Sequence, residues 1–105
     1  MKNLATIMSN QGYHREAIAK YREILAIQKR VVGTDSIPVA QTLHSLGIEL
    51  FDMGRYEEAL EELDVSHAIF LLLTKGTDER FPLVVKKQNA CHAAIAKRDA
   101  SVHKK

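Results

Sequence analysis

The feature that most constrains this chain is that it superimposes on itself. Gly12-Tyr13-His14-Arg15-Glu16-Ala17 and Gly54-Arg55-Tyr56-Glu57-Glu58-Ala59 carry glycine, glutamate and alanine in matching order at an offset of 42 residues (54 − 12). The same slide lays Leu4 on Leu46, Ala26 on Ala68 and Ile27 on Ile69. A fixed period of this size marks an array of supersecondary units, each burying its apolar face against the next. Further along, Gly33-Thr34-Asp35 pairs with Gly76-Thr77-Asp78 and Pro38 with Pro82, at offsets of 43 (76 − 33) and 44 (82 − 38). The drift falls in the connectors, where insertions do least harm.

Those connectors read as helix boundaries. Each supplies a glycine suited to the left-handed position after a helix, then Asp or Ser to cap the next helix, then a proline for its first turn. Between them, Leu43, Leu46, Leu50 and Met53, then Ala59, Leu60, Leu63 and Val65, recur at helical spacing. No stretch alternates as a strand would. The pattern predicts an all-α chain of five helices at about 2–10, 14–32, 37–52, 56–74 and 80–100. A single domain over 1–100 divides into units at 1–36 and 37–79 and a closing helix at 80–100, with 101–105 expected to fray.

Composition narrows the function classes. Of 105 residues, 46% are hydrophobic and 27% charged, which is globular, and a chain this short favours helices that share one continuous core. Fifteen Lys and Arg against thirteen Asp and Glu leave +2, far from the balance of a dedicated nucleic-acid binder. The lone Cys91 has no disulfide partner within the chain, so a buried thiol in a reducing compartment is expected. Met1 to Asn10 lacks the apolar run of a signal peptide, and the longest apolar stretch, Ala68 to Leu73, is too short to span a bilayer. These features point to a soluble, cytoplasmic protein with neither membrane nor nucleic acid as partner.

Leu43-x2-Leu46-Gly47-x2-Leu50 followed by Ala59-x3-Leu63, and Met1-x2-Leu4-Ala5-x2-Met8 followed by Ala17-x3-Tyr21, resemble the tetratricopeptide repeat. The long period, with Lys2-Asn3-Leu4-Ala5 and Gly33-Thr34-Asp35-Ser36-Ile37-Pro38-Val39-Ala40, is similar to the long-repeat variety of the kinesin light chains. The resemblance reaches about Lys97. It implies an α-α superhelix of antiparallel helix pairs. In such pairs Ala5 or Gly47 opposes Ala17 or Ala59 where backbones approach, and Gly12 and Gly54 sit in the tight turns. The pattern weakens at both ends. Lys87-x2-Ala90-Cys91 has no turn glycine after it and reads as a lone capping helix, while a counterpart of Pro38 would precede Met1, so the first unit reads as clipped.

The same resemblance implies a non-enzymatic module that binds a protein or peptide. In the family the first helix of each unit lines the concave surface, and in the long variety an Asn before the Leu-small pair faces the bound peptide. Those places fall on Asn3, Ser45 and Asn89, with Gln41, His44, Ile48, Gln88 and His92 beside them. An Asn amide offers a peptide backbone both donor and acceptor; the same positions also read as merely solvated. The five histidines form no HExxH and no Cys/His ligand set, and there is no phosphate-binding glycine loop or GxSxG. No catalytic site, metal or cofactor is expected. Glu57, Glu58, Glu61 and Glu62 with Asp64 read either as a solvated face or as an alternative docking patch. The equivalent first-unit helix carries Arg15, Lys20, Arg22, Lys29 and Arg30, and opposite charge on equivalent faces invites head-to-tail association. The apolar run His67 to Leu73 calls for burial on more than one side, or else leaves a partner surface. The main reading is a peptide-binding scaffold. The alternative is a structural subunit that assembles through its helix faces and open ends into a longer array, with no exchangeable ligand.

Overall fold

The computed structural model describes residues 11–103. Four helices fill them: α1 (Gln11–Val32), α2 (Ile37–Asp52), α3 (Tyr56–Thr74) and α4 (Phe81–His103). Five helices were expected; the one at about 2–10, with Asn3, Leu4, Ala5 and Met8, lies outside the described residues. At the other end α4 continues through His103, taking in the first part of the expected frayed tail.

α2 packs between α1 and α3, and α4 packs on α3 and touches α2. Contacts between chain neighbours make a slab of 48 × 33 × 22 Å, the geometry of a stacked array. The core runs through it as one cluster: Ile18 of α1, Val39, Ala40, Leu43, Leu46 and Leu50 of α2, Ala59, Leu63, Ile69 and Phe70 of α3, and Val84 and Cys91 of α4. Val65 departs from the expected stripe and is 49% exposed. Two residues beyond the buried Leu63, it sits about 200° round the helix and points outward.

At the crossing of α2 and α3 the small residues do the mechanical work expected of them, whereas Gly12, expected in a turn before a helix at 14–32, lies within the first turn of α1, which begins at Gln11. A Cβ on Gly47 would stand 2.7 Å from Leu63 Cγ, 2.8 Å from its Cδ2 and 3.4 Å from the Ala59 carbonyl oxygen, so α2 and α3 approach closely only because that atom is missing. Gly54 turns the chain between them at φ +80°. Its N–H donates to the Phe51 carbonyl and the Arg55 N–H to the Leu50 carbonyl, both at 2.9 Å. That pair of bonds is the Schellman closure, which satisfies carbonyls that the end of α2 would otherwise leave open.

Pro38 and Pro82 stand in the first turns of α2 and α4, as expected. The capping residues depart from expectation at the first connector. Ser36 takes the cap position of α2 with extended backbone, but its hydroxyl donates to the Gly33 carbonyl at 3.1 Å and not to the helix. Its lone pairs could still accept, but the side chain is turned back over its own loop and does not bring them to the first N–H groups of the helix. At the second connector Asp78 Oδ1 accepts the Arg80 N–H at 2.8 Å, and the Arg80 guanidinium reaches both carboxylate oxygens.

The run His67 to Leu73 is not packed all round. Ile69 and Phe70 are buried, whereas Leu71, Leu72 and Leu73 are exposed. α3 has helices on two sides and solvent on the third, so an apolar circumference exceeds the cover available.

Candidate binding groove

α2 sends Leu43, Leu46 and Leu50 into the core, which carries His44 and Ile48, on another side of the helix, towards α4. α4 turns Val84 and Cys91 inward, so that Leu83, Lys86, Lys87 and Ala90 face the same space. Together His44, Ile48, Leu83, Lys86, Lys87 and Ala90 line an open groove of about 320 Å3.

Its floor is apolar and its charge is positive. The Lys87 ammonium lies 4.6 Å from the Phe51 ring centroid, a cation–π contact that holds the side chain across the groove wall. Arg80 sits 5.6 Å from the Phe70 ring centroid while paired with Asp78. Partial burial, then the nearby charges of Lys87 and Arg80, hold the His44 pKa below its ordinary value. At neutral pH His44 is therefore an uncharged imidazole, able to give one hydrogen bond and accept another. Such a site can seat an aliphatic or aromatic side chain and attract a carboxylate.

The residues singled out from sequence are partly gathered here. His44 and Ile48 line the groove; Gln41, exposed, and Ser45, half-buried, share a side of α2 with Ile48 at helical spacing. Asn89 and His92 are exposed on α4 but do not line the groove. Gln88 is turned to α3, with Oε1 2.9 Å from His67 Nδ1 and Nε2 donating to Asp64 at 2.8 Å. Asn3 lies outside the described residues.

Leu83, Lys86, Lys87 and Ala90 were not anticipated as groove residues, because the Lys87-x2-Ala90-Cys91 alignment gives Lys87 and Ala90 core places. Leu83, the counterpart of the fully buried Val39 in that alignment, is 53% exposed. Among the described residues no second helix of a third unit covers this side of α4, and it opens onto the groove. A signal was present: Lys86-Lys87 stands where α2 has Thr42-Leu43, and a lysine pair is a poor core element.

The acidic run on α3 is dispersed among intramolecular partners. Glu57 pairs with Arg98 of α4, and Glu58 with Arg55 at 2.5 Å. Glu62 is half-buried, and burial raises its pKa although Arg22 and Lys29 of α1 oppose the shift. Glu61 is exposed and forms no ion pair among the described residues. Nor do three His, Cys, Asp or Glu side chains converge there as a metal site would require. No described helix is long and apolar enough to cross a membrane.

Antiparallel helix pairs, close approach at small residues and a groove between the first helices of successive units define an α-helical repeat scaffold. The model of the tetratricopeptide repeat matches residues 1–71 of the 105, and the chain belongs to that family. No curated protein and no solved structure matches the chain. Tetratricopeptide repeats are, as a family, protein–protein interaction scaffolds and typically non-enzymatic.

Proposed function

We propose that this protein binds a peptide segment along the groove between α2 and α4. An apolar side chain of the ligand rests on Ile48, Leu83 and Ala90, and an acidic group sits near Lys86 and Lys87. Gln41 and Ser45 extend the surface on α2, with Asn3, Asn89 and His92 as flanking contacts to the peptide backbone. The observation that carries this reading is the groove itself, an apolar floor under two lysines and a half-buried neutral imidazole.

The 42-residue period and the repeated Gly-Thr-Asp connectors support a repeat of the long, kinesin-light-chain-like variety. We read α4 as the closing helix of a domain over 1–100, because it carries Lys86 and Lys87 at the places where α2 has the buried Thr42 and Leu43. A free thiol at Cys91 suits a reducing, cytoplasmic setting.

The test is fluorescence titration of labelled peptides that carry one aromatic or aliphatic residue flanked by Asp and Glu, with lysine-flanked analogues for comparison. The acidic series is expected to bind, and Lys86→Glu with Lys87→Glu to weaken it roughly tenfold or more, since a charge-assisted contact contributes about 1.5–3 kcal/mol. Circular dichroism controls for folding. Undiminished binding by that variant, with loss on reversing Glu61 and Glu62, would move the site to the acidic face of α3.

A further inference from the structure

Two apolar helix faces are left uncovered among the described residues, and they share one spacing. On α1, Lys20, Ile24, Ile27 and Val31 follow at intervals of four, three and four residues, and the three apolar ones are 42%, 52% and 72% exposed. On α3, Glu61, Val65, Ala68 and Leu72 follow at the same intervals, with Val65 49% and Leu72 65% exposed and Ala68 also open. Four-three-four spacing is the seam along which two helices pack side by side, knobs into holes. Val65, Ala68 and Leu72, with Ile69, Asp35 and Asp64, already line an open depression of about 280 Å3.

We propose that α1 of one molecule packs parallel and in register on α3 of a second copy of this chain. Ile24 then meets Val65, Ile27 meets Ala68 and Val31 meets Leu72, with Lys20 against Glu61. Charge selects this pairing over its rivals. α1 brings the exposed Lys20 to this seam and α3 the exposed Glu61, neither in an ion pair among the described residues, whereas Glu57, Glu58 and Glu62 are engaged within the molecule. Two α1 faces would set Lys20 on Lys20 in parallel or on Val31 in antiparallel, two α3 faces Glu61 on Glu61 or on Leu72, and an antiparallel α1–α3 arrangement Lys20 on Leu72. Size agrees, since the small Ala68 receives the larger Ile27. The contact is heterologous, so each molecule keeps one unused face of each kind and the assembly grows head to tail. Three apolar layers bury less than the ~800 Å2 per partner of a standard interface, so the association is weak and concentration-dependent.

Sedimentation velocity on the full chain tests this. The wild type is expected to gain mean mass with concentration, and Ile27→Asp and Leu72→Asp each to stay monomeric with unchanged circular dichroism. Mixed together, the two variants are expected to form a one-to-one dimer that grows no further, because the first keeps its α3 face and the second its α1 face. Lys20→Glu or Glu61→Lys alone should weaken association by about two- to fivefold, and the double reversal in one chain should restore it. A wild type that is monomeric at every concentration, a self-associating Ile27→Asp variant, or a mixture that stays monomeric would each overturn the proposal.

Discussion

Gly47 shows how much of the packing rests on one absent atom. A methyl there would press on the Cγ of Leu63, which is fully buried and has no free end to swing aside. Gly47→Ala gains about 1 kcal/mol of helix propensity and meets an overpacking cost of about 1–3 kcal/mol. A net loss of up to about 2 kcal/mol is expected in a urea melt, and the double change with Leu63→Ala should show non-additivity, because the two side chains compete for one space. At His44 the folded pKa lies below its ordinary 6.5, so the unfolded chain holds the proton more tightly. Its contribution is complete above that value and is lost as the pH falls below it. Thermal melts between about pH 7 and 5 should therefore decline less steeply in His44→Gln than in the wild type. Gly47 and Ala59 were legible in the sequence because motif spacing alone places small residues at a helix crossing. Lys86 and Lys87 were legible only as a misfit to core places, because their role depends on how α4 is turned about its own axis.

The helices themselves were readable because their punctuation is local. Glycine, proline and apolar periodicity act within a turn or two, so the bounds of α2 and α3 follow from neighbouring residues. What was misjudged depends on more distant cover, such as the number of neighbours available to α3, or on which way one hydroxyl is turned, as at Ser36. The entry to α4 offers a direct check. The Arg80 guanidinium and backbone N–H beside Asp78 lower its pKa from 3.8 to about 2. A depressed carboxyl favours the folded state above its unfolded pKa and loses that influence as the pH falls towards the folded value. Carbon-detected NMR should show Asp78 titrating near pH 2 in the wild type and higher in Arg80→Ala, which loses the guanidinium but keeps the backbone N–H. A midpoint unmoved by that substitution would mean the pair does not hold in solution.

Across the whole molecule, a stack in which neighbours hold neighbours need not open all at once. α4 is held mainly by α3, with Val84 and Cys91 as its fully buried anchors, while α2 is enclosed from both sides. The Cys91 thiol is buried, and that burial raises its pKa above the ordinary value, so it is slow to react while α4 is seated. In mild denaturant a thiol reagent should modify Cys91 while backbone amides of α2 remain protected from hydrogen exchange. Equal opening energies for the thiol and for the amides of Leu43 to Leu50 would indicate a single all-or-none unit instead.

The two long connectors carry one further consequence. Each crosses a left-handed glycine, Gly33 at φ +92° and Gly76 at φ +81°, and delivers a proline into the first turn of the next helix. The stretch from Ile37 to Arg80 thus begins and ends on the same backbone gesture, and its reading frame of geometry closes on itself. A tandem duplication of that stretch would join through a junction the chain already makes, adding length without a new kind of turn. In evolutionary terms the connector is where such a protein can gain or lose a unit in a single step.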